Sequence, residues 1–308
     1  MADNLKTVAE IVAITGADFD QGDFSDIVNR APFLAAAGAK TSSNGKDHKY
    51  ILKSVPPTVG FISGTVGRDF SKLVSVPISE TLEMIDASIM MPKVAADASD
   101  DREGVINTEI MEHLQAAMFE WEKQCINGTF NAATGFSGMA DMLPDLDNPQ
   151  VLDGQGTGTA LQSVYMVRVN GSNNGIAPVM NYEIEVGSVD TVTYTTPDGK
   201  QAPHYYCPIA GYTGLQRGNN FSICRIANLD ATNTITDDLL SLAYDTFPAG
   251  SEPNMILMSR SQRGALKRSR TATTPTGVAA ANPVDYEGIP LVITDAIQPT
   301  EIAIIAAP

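Results

Sequence analysis

Positive charge is scarce in this chain. Twenty Lys and Arg stand against 36 Asp and Glu, a formal charge of −16, whereas a surface that grips nucleic acid by neutralising phosphates needs the reverse balance. Dedicated DNA or RNA binding is disfavoured on that ground. Charge of either sign makes up only 18% of the residues, below the usual share of about a quarter, which speaks against a coiled coil or a disordered tail. Cysteine is limited to Cys125, Cys207 and Cys224, an odd and widely spaced set without a CxxC. It reads as three buried or half-buried thiols in a reducing compartment, not as a disulfide framework. Long apolar runs are missing as well: 302–308 is among the longest, far short of the roughly 20 residues of a membrane helix. Residues 1–16 lack a basic region followed by an apolar core, so no secretory leader is expected.

Catalytic signatures are missing too. The chain has no GxGxxG opening a helix, no GxxxxGK[ST], no HExxH and no GxSxG. Its histidines are His48, His113 and His204. Glu109, Glu112 and His113 share a helical stretch, but one carboxylate–histidine pair offers too few ligands for a metal, and a solvated acidic face explains them better. A Ser–His–acid triad around His204 lacks a nucleophile at a recognisable sharp turn. No catalytic residue, metal or cofactor is assigned, and no enzyme is expected. Glycosylation triplets at Asn127, Asn170 and Asn220 carry no weight without a leader.

What is present is a chain of 308 residues, 43% apolar, with 25 Gly and 18 Pro. That length suits two domains or one large one with a self-sufficient core, and the composition suits a β-rich protein with long loops. Residues 14–24 form a Gly- and Asp-rich loop, and 26–37 hold a few turns of helix with Pro32 near the first. Over 49–82, Val, Ile, Thr and Ser alternate, with Gly60, Gly64 and Gly67 near the middle. This predicts a long β-hairpin whose strands Pro56, Pro57 and Pro77 confine to edges. A hairpin of that length is not stable alone, so it should lie over something else. A further strand is expected over 83–94.

The clearest helix is 105–127. Ile110, Leu114, Met118, Trp121 and Cys125 recur at spacings of three and four, with Glu109, Glu112, His113, Glu120, Glu122 and Lys123 mostly on the other side. Trp121 should be buried, and Asn127-Gly128 supplies a left-handed stop. After a loop-rich stretch, strands are expected at 164–169, 182–186, 191–194 and 222–226, with hairpin turns at Asn170-Gly171 and Asp198-Gly199. Helices over 235–247 and 259–269 bracket a strand at 253–258. A mobile stretch follows at 271–282, then strands at 291–294 and 301–306.

The run Arg260, Arg263, Lys267, Arg268 and Arg270 is the one local reversal of the acidic field. Its spacing places Arg260, Arg263, Lys267 and Arg270 roughly along one helix face. No aromatics interleave with these charges, as single-strand binding would want. The run reads better as a patch complementary to an acidic surface of another copy, around Asp18, Asp20 and Asp23 or around Glu109 and Glu112.

The order of these elements, with three local signatures, resembles the major capsid proteins of tailed double-stranded DNA phages. The signatures are 122–128, ending in Asn127-Gly128 and followed by Phe136-Ser137-Gly138; Met255-Ile-Leu-Met-Ser-Arg260 with Leu266; and Gly288-Ile-Pro290 running on to Asp295-Ala-Ile297, with Thr300-Glu301. Residues 163–168 and 222–228 are similar to a podovirus-like branch. The resemblance implies an α+β, Hong Kong 97-type capsid fold. Its parts would be an N-terminal arm (1–43), an extended β-hairpin or E-loop (44–83), a peripheral domain with a spine helix (84–135) and an axial domain with a β-rich insertion (136–250). C-terminal strands and a helix (251–308) would complete the peripheral and axial core.

It implies a structural subunit that self-assembles, as pentamers and hexamers, into an icosahedral shell. That shell would enclose the double-stranded DNA genome without binding it specifically. Portal, scaffolding or cement proteins are implied partners, with no membrane; assembly would take place in the host cytoplasm and the product would be the virion capsid. Arg260, Arg263, Lys267, Phe61 and Arg68 are the expected inter-subunit contacts. Residues 1–43 lack the long helical extension that some members use as a built-in scaffold, implying a separate scaffold or none. Some relatives join a hairpin Lys to a neighbour's Asn; Lys49, Lys53 and Lys72 lie in or beside this hairpin, but no partner is assignable. Two alternatives stand beside this reading. An encapsulin-like compartment would need an apolar groove by an N-terminal helix, where 1–37 is acidic and Gly-broken. A β-rich hydrolase lacks its nucleophile turn.

Overall fold

The structure, a computed structural model, describes residues 31–61, 70–169, 175–273 and 278–306. A short helix, α1 (Pro32–Ala37), has Pro32 in its first turn, where a fixed φ helps and a missing N–H costs nothing. Strand β1 (Lys40–Thr41) leads into the expected hairpin, β2 (Asp47–Val55) and β3 (Val74–Thr81). Its antiparallel register runs from Asp47–Thr81 to Val55–Val74. The ribbon has only two strands, so Pro77 can sit in it without breaking an interior ladder. Gly64, Gly67 and Arg68 lie outside the described residues, as does the 1–30 segment with Asp18, Asp20 and Asp23.

The strand expected over 83–94 is two strands, β4 (Glu83–Asp86) and β5 (Ile89–Pro92), followed by helix α2 (Lys93–Asp97). The break falls at Ala87-Ser88, where the Asp86 carboxylate accepts from both the Ser88 N–H and its hydroxyl, and the halves enter different sheets. The long helix α3 (Arg102–Asn127) has 26 residues, about 39 Å at 1.5 Å each. It begins three residues before its apolar periodicity does, because Asp101 caps it by accepting from Gly104 N–H at 2.9 Å. It ends as expected at Gly128, whose φ of +57° is costly for any other residue.

Beyond α4 (Met139–Met142) the chain is mostly β: β6 (Val151–Asp153), β7 (Gln162–Val167), β8 (Ala177–Met180), β9 (Glu185–Val186), β10 (Asp190–Thr195), β11 (Gln201–Cys207), β12 (Ile209–Gln216) and β13 (Ile223–Leu229). Helix α5 (Asp237–Asp245), β14 (Met255–Met258), α6 (Arg260–Thr273), β15 (Asp285–Tyr286) and β16 (Ile289–Ile293) follow. Of the strand expected at 182–186 only β9 forms, while β8, β11 and β12 are strands that the pattern did not indicate. The 301–306 stretch is not a strand; Glu301 makes a single bridge to Leu161. The stretch expected to be mobile opens with the last turn of α6, and its residues 274–277 lie outside the described residues. The Asp198-Gly199 turn closes β10 on β11, with Gly199 at φ +76°; Asn170-Gly171 is outside the described residues.

A six-stranded sheet of order β15-β16-β14-β7-β13-β6 forms the centre. Strand β7 is buried along its whole length, and the two-residue period of its side chains divides the core in two. Tyr165 and Val167 face Trp121, Cys125 and Ile126 of α3. Val164 and Met166 face Leu240 and Ala243 of α5 and Leu266 of α6. A third cluster packs Ile106 of α3 on Ile89, Met91, Tyr205 and Ile209. The long helix therefore ties the central sheet to the smaller sheet β10-β11-β5, and Trp121 is 1% exposed. All three thiols are free and buried.

Candidate assembly surfaces

Among the described residues the hairpin is held at its root and bare beyond it. At the root His48 and Tyr50 are buried. His48 Nε2 lies 2.9 Å from Gln216 Oε1, and the Glu80 carboxylate accepts from Arg217 Nε at 2.7 Å and from the Tyr50 hydroxyl at 3.2 Å. Burial, then the Glu80 charge, push the Tyr50 phenol up to about 12, so it stays a donor. Past this anchor, Ile51, Val55, Val59, Leu73, Val74 and Val76 are all exposed, and Phe61 and Phe70 are fully so at 110% and 103%. Scattered exposed apolar residues are ordinary, but a contiguous set marks an interaction surface. Phe61, one of the contacts the sequence expects, is among these exposed residues; Arg68 lies outside the described residues. Phe70, equally exposed, is not among the contacts expected from the sequence.

The basic run lies on α6. Arg260 is exposed, and Arg263 and Lys267 are half-buried. Lys267 Nζ donates to Asn282 Oδ1 at 2.8 Å. The face is not uniform: Arg270 makes a two-pronged bond to Asp237, the closest contact 2.7 Å, and so serves the subunit's own fold by joining α6 to α5. Arg260, Arg263 and Arg268 have no partner among the described residues.

Two buried polar groups that the sequence did not single out hold the frame. Glu122, placed by periodicity on the polar side of α3, is 0% exposed. It accepts from the N–H groups of Phe33 at 2.8 Å and Leu34 at 3.2 Å, and from the Thr294 hydroxyl. Ala31 offers α1 no side-chain cap, so a carboxylate 89 residues away fills that role. Burial raises its carboxyl, and the Thr294, Leu34 and Phe33 donors pull the other way. Arg225 of β13 donates to Ser163 Oγ at 2.9 Å, to the Leu143 carbonyl at 2.8 Å and to Glu301 at 2.9 Å.

The three histidines and Glu109 are engaged within the chain. His113 Nδ1 lies 3.0 Å from the Ala87 carbonyl and its Nε2 3.4 Å from Glu109. His204 is buried, with Nδ1 3.1 Å from the Ala202 carbonyl. Among the described residues no group of three or more His, Cys, Asp or Glu is arranged to hold a metal ion, and no helix is long and apolar enough to cross a membrane.

Comparison with known proteins places the chain in a family. The sequence model of the family described as Major capsid protein GP7 matches residues 25–305. The chain belongs to that family. No curated protein sequence matches it. Among solved structures it is similar to a chain of bacteriophage Epsilon15, at 18% identity and TM-score 0.74, with 99% of this chain and 98% of that one covered. It is also similar to the capsid of bacteriophage JBD30, at 12% identity and TM-score 0.55, covering 93% and 97%. The expected α+β, Hong Kong 97-type fold holds, and the Epsilon15 likeness is consistent with the podovirus-like branch. This major capsid protein is a structural subunit of a tailed phage's icosahedral shell, located in the virion capsid. The encapsulin-like alternative is not favoured.

Proposed function

We propose that this subunit closes its shell by laying the hairpin over a neighbouring copy, with α6 supplying a second, electrostatic contact. The observation that carries the reading is the hairpin itself: a ribbon anchored at its root whose described residues beyond it present bare apolar side chains. On this reading 44–83 is the E-loop, 84–135 and 136–250 are the peripheral and axial domains, and 251–308 completes both. Copies gather as pentamers and hexamers in the host cytoplasm. Portal, scaffolding or cement proteins join them, and the subunit has no catalytic activity of its own. A chain at −16 repels both its own copies and packaged DNA, so the shell encloses the genome without gripping it.

That repulsion gives Arg260, Arg263 and Lys267 their role, with Phe61 and Arg68 as the hairpin's contacts. Each exposed pair contributes only ~0.2–1 kcal/mol and is screened by salt, but a closed shell repeats it at every interface. Reversing Arg263→Glu and Lys267→Glu together should lower the yield of shells while leaving the melting temperature of the free subunit nearly unchanged. Normal shell yield from the double variant contradicts this role. Normal empty shells with defective DNA packaging would instead assign α6 to the genome.

A further inference from the structure

The hairpin reading leaves open where its exposed rings go. A groove of about 140 Å³ opens beside α3, with Trp121 and Phe136 in its floor and Met84, Ile85 and Ala132 in its walls. Met84 is 58% exposed, so one wall is open to solvent. The volume is that of a ring, since an enclosed apolar cavity of about 150 Å³ takes up benzene. This groove is open, and Gln124, Thr134 and Thr213 also line it. Glu83 and Glu120 stand at the rim. Glu120 is engaged by Lys123 at 3.0 Å, whereas Glu83 is half-buried and has no partner among the described residues.

Of the exposed rings among the described residues, two lie on the hairpin and stand fully clear of the subunit, Phe61 and Phe70. Only Phe70 has a cation close by in sequence, Lys72, which is exposed and unpaired among the described residues. The subunit's own groove is out of reach. Strand β3 runs from Val74 to Thr81, next to Glu83, and at ~3.3 Å per residue it holds Phe70 roughly 25 Å from the root.

We infer that Phe70 of a second copy seats its ring in the Trp121–Phe136 groove while Lys72 of that copy pairs with Glu83. This rests on the hairpin reading and sharpens it to one knob and one hole. Ring burial supplies the affinity, and the acidic rim sets the register by admitting the ring that carries a lysine and not the one that lacks it.

A cysteine pair tests it in the full-length chain. Phe70→Cys with Met84→Cys, assembled into particles and oxidised, should give disulfide-linked species of two or more copies on a non-reducing gel, and neither single variant should. The natural thiols are buried and stay out of the reaction. Particles that yield no linked species would overturn the inference, as would Phe61→Cys with Met84→Cys linking equally well. Should the double-cysteine chain form no particles, the charge pair decides. Lys72→Glu is expected to reduce particle yield and Glu83→Lys in the same chain to restore it; absence of restoration overturns the pairing. The hairpin reading is judged separately, by deleting the hairpin tip: if that deletion blocks shells while the cysteines never link, the hairpin stands and only the groove falls.

Discussion

Shortening the hairpin to its root should abolish closed shells while leaving the subunit folded. Val55 and Val74 face each other in the ladder, so residues 56–73 can be replaced by Asn-Gly, the two-residue loop that suits the twist of an antiparallel ribbon. Buried His48 and Tyr50 and the Glu80–Arg217 pair remain, and none of the described residues that the deletion removes belongs to the core clusters. What goes is Val59, Phe61, Phe70 and Leu73, all exposed. Burying four such side chains against a neighbour contributes on the order of 6–12 kcal/mol before the costs of association, several times what the α6 charges offer. Size-exclusion chromatography should find monomer with an unchanged melting temperature and no particle peak. A normal particle peak contradicts the account of the hairpin, and an unfolded subunit would mean the tip serves the monomer.

The second large effect is on stability. Replacing Arg225→Met should cost about 3–5 kcal/mol, the usual result of removing one partner of a buried ion pair. The guanidinium is 6% exposed and its Glu301 partner 10%. Without it, Glu301 is left charged with only Ser163 to donate, and the Leu143 carbonyl loses its donor. Against a total of about 5–15 kcal/mol, such a loss threatens folding at physiological temperature. Adding Glu301→Gln should recover part of it, since the stranded charge is then gone. Urea unfolding of the unassembled subunit reads both effects. A loss below about 1 kcal/mol, typical of exposed pairs, would show that the cluster is solvated.

What the sequence revealed were features whose cause is local. The alternation of β2 and β3, the apolar stripe that ends in Trp121 and Cys125, the Asn127-Gly128 stop and the Asp198-Gly199 turn all follow from neighbours within a few residues. Of the strands it concealed, β8 and β12 owe their form to distant partners. Strand β12 carries Gly211 and Gly214, which weaken any strand pattern, yet a Cβ at Gly214 would press on Leu82 at 3.2 Å and one at Gly211 on the Ile184 backbone at 3.0 Å. Pro178 and Pro203 similarly blurred β8 and β11. Glu122 and Glu301 read as ordinary surface or strand acids because their partners, Phe33, Leu34, Thr294 and Arg225, are 76 residues or more away. Of the proposed assembly surface, the hairpin followed from pattern and resemblance, whereas the bond of Arg270 to Asp237 needed the packed helix pair.

The most direct measurement is negative-stain microscopy of the purified full-length chain, prepared with and without a co-expressed scaffolding protein. The account predicts closed, uniform icosahedral particles in at least one preparation. Monomers or small open oligomers in both, from protein that is folded by circular dichroism, would contradict it.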